Sequence, residues 1–82
     1  METSYPRAPD ALKPDQIEVS VNGDPRRLPA DLSLTGVLDH LGLDPRKVAV
    51  ERNLEIAPRS AYDAIRIKAG DRLEIVHFVG GG

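Results

Sequence analysis

The 82 residues of this chain predict an α+β fold, a mixed sheet of four or five strands with one main helix packed across one face. Three observations predict it. Residues 17–21 alternate apolar and polar side chains and run into Asn22-Gly23, a short-range hairpin signal. Leu34, Val37, Leu38 and Leu41 then fall at i, i+3, i+4 and i+7, the spacing of one helix face. Past the helix the chain returns to short extended runs and ends on the apolar segment 72–79.

Each element follows from its residues. Ile17, Val19 and Val21 alternate with Glu18, Ser20 and Asn22, as in a strand with one buried face. Asn22 and Gly23 both tolerate positive φ, Asp24-Pro25 is expected to lengthen the turn, and Arg26, Arg27 and Leu28 return as the partner strand until Pro29 stops it. Asp31 or Ser33 can cap the helix, Gly42 suits the position just past its end, and Pro45 blocks continuation. Gly36 lies inside the helix, where glycine costs about 1 kcal/mol relative to alanine. The expected return is a close approach of the helix to the sheet. Residues 48–52 read as a short strand, Asn53 as a tight turn and 54–56 as a second extended piece ended by Pro58. Residues 59–65 suit a single helical turn. Ile65 and Ile67 alternate, and Gly70-Asp71 turns the chain into the last strand, with Leu73 and Ile75 on one face and Val76 and Phe78 open to the other.

The first sixteen residues differ from the rest. They hold Pro6, Pro9 and Pro14 and show no period, so they read as a disordered extension, 1–16, before a domain over 17–79 and a flexible glycine tail, 80–82. Composition narrows the function. No cysteine is present, which excludes disulfides, thiolate metal sites, cysteine nucleophiles and persulfides on this chain. Net charge is −2 with both signs interspersed, which gives no electrostatic case for nucleic acid or membrane. Two isolated histidines, His40 and His77, make no metal site. The residues show no nucleophile–base pair and no phosphate-cradling loop, so no enzyme activity is expected of the chain itself. The expectation is a cytoplasmic protein, monomeric on its own, that binds no cofactor.

A helix between an opening hairpin and later strands buries its stripe by lying across one sheet face. The simplest closed solution pairs the first and last strands in parallel at the centre. That is the β-grasp, or ubiquitin-like, arrangement, and it sends the C-terminus from a central strand into solvent.

Three segments now carry a resemblance: residues 50–56 (VERNLEI), 70–79 (GDRLEIVHFV) and the terminal Gly81-Gly82. Over roughly residues 17–82 the chain resembles the ThiS-type sulfur carriers of thiamine biosynthesis, within the ThiS/MoaD-like ubiquitin-fold proteins. Gly80, a third glycine, departs from the pattern without disturbing the terminal pair. The resemblance implies a ThiF-type adenylating partner that uses ATP to activate the Gly82 carboxylate. A sulfur donor then displaces AMP and leaves a thiocarboxylate, which supplies sulfur to a ThiG-type thiazole synthase. It implies Gly82 and Gly81 as the reactive end, and Gly80, Val79, Phe78 and Val76 as partner-binding residues. The chemistry is coherent with the sequence. Glycine has no Cβ and can thread a narrow channel, and without cysteine the terminus is where this chain could carry acyl-linked sulfur.

Blander readings stand beside these. A glycine-rich end is often a frayed terminus. Val76 and Phe78 suit a core as well as an interface. His77 reads as a strand residue or partner contact, and His40, beside Asp39, as surface. Arg52, Asn53 and Glu55 are turn and surface residues with a lesser partner role. Two other functions remain open: a thiocarboxylate carrier for another client, such as molybdopterin synthase or cysteine formation, and a ubiquitin-like modifier or interaction module.

Overall fold

In the computed structural model, residues 15–78 are described. Five strands form one sheet: β1 (Gln16–Val21), β2 (Asp24–Pro29), β3 (Val48–Arg52), β4 (Glu55–Ala57) and β5 (Arg72–His77), in the order β2-β1-β5-β3-β4. A single α-helix, α1 (Leu34–His40), follows the first hairpin. Two 3-10 turns, Pro45–Lys47 and Arg59–Ala61, flank β3 and β4. β1 and β5 pair in parallel and the other neighbours are antiparallel. This is the mixed β-grasp sheet the sequence predicts. Asp15 is a turn residue and Gln16 already belongs to β1; the rest of the 1–16 extension lies outside the described residues.

The first hairpin is tighter than expected. Val21 pairs with Asp24, so Asn22-Gly23 alone makes the turn, with φ of 52° and 88°. Asp24 and Pro25 do not lengthen it; they belong to β2. Pro25 is tolerated because β2 is an edge strand. In the register fixed by a two-residue loop, its missing N–H points away from β1. The parallel ladder registers Ser20 with Arg72 and Val21 with Leu73. Asn22 then extends it: its N–H donates to the Leu73 carbonyl (2.8 Å), its Nδ2 to the Ile75 carbonyl (3.1 Å), and its Oδ1 accepts from the Ile75 N–H (2.7 Å). A side-chain amide thus stands in for one further residue of strand.

Ser33 caps α1, its Oγ accepting from the Gly36 N–H at 3.0 Å. Asp31 does not cap; it sits in a turn at φ 69°. The helix ends in a Schellman arrangement. Gly42, at φ 77°, donates to the Asp39 carbonyl, and Leu43 donates to the Leu38 carbonyl. Gly36 does not mark close helix–sheet approach. A Cβ there would meet the Leu32 side chain at 3.0 Å, so the crowding comes from the chain leading into the helix.

The core lies between α1 and one sheet face. Leu34, Val37 and Leu38 pack with Val19, Val21, Leu28, Val48, Val50, Ile67, Leu73 and Ile75 in one buried cluster, and Leu41 is half-buried against it. Tyr62, just after the second 3-10 turn, joins that cluster.

Candidate functional site

β5 delivers the chain end. Its last ladder pairs are Ala49 with Val76 and Val48 with His77. The Phe78 N–H then donates to the Lys47 carbonyl at 3.0 Å, so pairing with the β3 side runs one residue past the strand. Residues Val79, Gly80, Gly81 and Gly82 lie outside the described residues. Of the predicted partner-binding residues, the structure therefore places Val76 and Phe78.

Both are on the surface. Val76 is 62% exposed and Phe78 55%. The core reading of these side chains is set aside, because Leu73 and Ile75 fill the helix-facing side of β5. Alternation turns Val76 to the face that α1 leaves uncovered. Phe78 has a partner there that the sequence did not reveal. The Arg59 guanidinium lies over its ring, 5.4 Å from the centroid, within cation–π range. Arg59 Nε also donates to the Pro45 carbonyl at 3.2 Å, which ties the two 3-10 turns together beside Phe78.

The uncovered face continues beyond β5. Ile56 on β4 is 77% exposed and pairs with Glu51, which in turn pairs with Glu74. Two carboxylates directly opposed across neighbouring strands repel; Arg72, with Nε 3.3 Å from Glu74 Oε2, relieves one of them. Leu54, at the tip of the β3–β4 hairpin, is 69% exposed and held at φ 73°. Neither Leu54 nor Ile56 was singled out from the sequence as an exposed apolar residue. The sequence reading placed Leu54 in the extended piece 54–56; instead Arg52 pairs with Glu55, so Asn53 and Leu54 together form a two-residue loop with positive φ at both positions and β4 begins at Glu55.

The VERN segment has a different task. Arg52 Nε lies 2.9 Å from Asp71 Oδ2 and Asn53 Nδ2 donates to Asp71 Oδ1 at 3.1 Å. The Lys68 N–H donates to Asp71 Oδ2 at 2.7 Å. Asn53 closes the circuit by exchanging backbone and side-chain hydrogen bonds with Arg72. Burial pushes the Asp71 carboxyl up, but hydrogen bonds from Asn53, the Lys68 N–H and Arg52 outweigh it and hold the group below its ordinary value. Arg52 and Asn53 thus clamp the β3–β4 turn to the start of β5. Glu55 is exposed on the hairpin.

Among the described residues, no group of three or more histidine or acidic side chains is arranged to hold a metal ion. No helix among them is long and apolar enough to cross a membrane.

Comparison with known proteins places this geometry. The ThiS family model matches residues 19–82. A thiazole synthase of Paramagnetospirillum magneticum is 48% identical over 66 residues, covering 80% of this chain and 20% of that protein. The corresponding protein of Magnetococcus marinus is 42% identical over the same length and coverage. This chain therefore spans about a fifth of the length of these two relatives. The sulfur carrier protein ThiS of Bacillus subtilis is 48% identical over 40 residues, which is 49% of this chain and 61% of that one. The crystal structure of a thiamine biosynthesis protein (ThiS) from Geobacter metallireducens superposes with a TM-score of 0.71 at 36% identity, over 80% of this chain and all of that one. Sequence and fold agree, and the chain belongs to the ThiS family.

Proposed function

We propose that this chain is a sulfur carrier of thiamine biosynthesis whose reactive group is the Gly82 α-carboxylate. A ThiF-type partner transfers AMP from ATP to that carboxylate and releases pyrophosphate. Sulfide then attacks the acyl carbon, and AMP leaves with the bonding electrons. A persulfide donor gives an acyl disulfide at the same step, which a second thiol cleaves, keeping the donor's remaining sulfur in a new disulfide and releasing the acyl sulfur with the electron pair. The product is a thiocarboxylate, more nucleophilic than the carboxylate it replaces. Sulfur passes from it to a ThiG-type thiazole synthase. The chain is substrate for this chemistry, and ATP and the sulfur donor act through the partner.

The observation that carries this reading is family membership joined to the position of β5: the last described pairing is Phe78 to Lys47, four residues before Gly82 in the sequence. Four extended residues reach about 13–14 Å. The likeness to two thiazole synthases, each several times longer than this chain, supports thiazole formation as the destination over other clients. Intact mass after incubation with ATP, a sulfur donor and a ThiF-type enzyme tests it. The expected gain is that of one sulfur replacing one oxygen, confined to the C-terminal peptide. An unchanged mass, or a link from Gly82 to a lysine, would reject it.

A further inference from the structure

On the helix side of the sheet, next to the end of β5, lies an open groove of about 460 Å³ that the tail chemistry does not use. Its floor is apolar: Leu28 and Ile75 from the sheet, Leu41 and Leu43 from the chain that follows α1. Its rim carries Arg26 from β2, His40 from the last turn of α1 and His77 from the end of β5. No carboxylate lines it. Arg27 lines the groove as well and is already engaged, whereas Arg26, His40 and His77 are exposed, and no side-chain hydrogen bond or ion pair engages these three among the described residues. These residues come from three distant parts of the sequence, and only the fold brings them together.

We propose that this groove receives an acidic segment with an apolar anchor, carried by the adenylating enzyme that takes up the tail. The inference rests on the carrier reading above. Two features favour this occupant. The half-buried Leu41 and Leu43 offer a floor to one or two apolar side chains, while the Arg26 guanidinium and the ring N–H groups of His40 and His77 offer donors to carboxylates on the same segment. The groove is also continuous with the tail exit, since His77 immediately precedes Phe78. A tail of about 13–14 Å reach brings an enzyme that holds its end against the surface around β5. The Schellman turn at Gly42 presents Leu41 and Leu43 to that approach and fixes the groove without any ligand.

The test is the affinity of the full chain for the ThiF-type enzyme. Arg26→Glu combined with His77→Glu should weaken binding about tenfold or more, with the thermal midpoint retained. Arg26→Lys with His77→Lys should keep near-normal affinity, which a steric role for these residues would not predict. A photo-crosslinking residue in place of His40 should capture a segment of the enzyme rich in Asp or Glu, and reversing the charge of that segment should restore binding to the glutamate variant. Affinity within twofold of wild type for the folded glutamate variant overturns the proposal, as does a crosslink to this chain's own tail. If that variant binds normally while the wild-type chain still gains sulfur, the groove alone is rejected and the carrier reading stands. If the wild-type chain is never adenylated, the carrier reading itself fails, and this inference with it.

Discussion

Asp71 is buried, yet it is the group on which two loops converge. Its carboxylate accepts from Arg52, Asn53 and the Lys68 N–H, and its own carbonyl accepts from the Ser20 N–H at 3.0 Å. Removing the charge leaves buried donors poorly matched, so Asp71→Asn should cost about 1–3 kcal/mol in chemical denaturation. The pH dependence follows from the direction of the shift. The folded-state value lies below that of the unfolded chain, so the stabilisation is fully present above the unfolded value of about 3.9. It is lost as pH falls through the folded value. Unfolding midpoints measured across the acid range should therefore drop more steeply for wild type than for Asp71→Asn. Leu54 presents the opposite case, a residue in the left-handed region with its side chain in solvent. Leu54→Gly removes that strain and should leave stability unchanged or raise it by up to about 1 kcal/mol. A loss of stability would show that the exposed leucine packs on something in the folded chain.

At the scale of elements, α1 is short, and its stability comes from the face it buries rather than from its length. Leu38 is among the most buried side chains, so Leu38→Ala should cost about 2–5 kcal/mol by denaturant titration. β5 has two faces with separate duties. Leu73 and Ile75 hold the core, whereas Val76, and Phe78 just beyond the strand, face outward. Phe78→Glu should accordingly fold with a normal thermal midpoint and bind the adenylating enzyme more weakly. Normal binding by the folded variant would remove Phe78 from the docking surface. The elements themselves were legible in the sequence because their signals are local. Alternation marked β1, 3–4 spacing marked α1, and Asn22-Gly23 and Gly42 marked where chains turn or stop. What was not legible is set by contacts distant in sequence. Pro25 sits in a strand because β2 lies at the sheet edge, and Tyr62 reaches the core from the end of a single helical turn too short to mark which side it buries. Arg52 and Asn53 looked like surface residues until the fold brought Asp71, nearly twenty positions on, against them.

For the whole molecule, the sheet order β2-β1-β5-β3-β4 puts the last strand in the middle, braced by β1 on one side and β3 on the other. A terminus leaving such a strand can be pulled into an enzyme without peeling an edge from the fold. The groove beside Arg26 and the Val76–Phe78 surface flank that exit on opposite faces. The position of the exit was legible, since hairpin, helix and final strand leave few ways to close a sheet. The groove was not, because His40 and His77 are isolated in the sequence and come to line one groove only in the folded chain. The central claim is that the terminal carboxylate, at its present reach and slenderness, is what the partner activates. ATP–pyrophosphate exchange with the adenylating enzyme tests it most directly, using a chain that lacks Gly82 and a Gly81→Val chain. The first shortens the reach by roughly 3.3–3.6 Å, and the second keeps the reach but adds a branched side chain. Both should fold normally and lose exchange, whereas exchange at the wild-type rate by either would contradict the account.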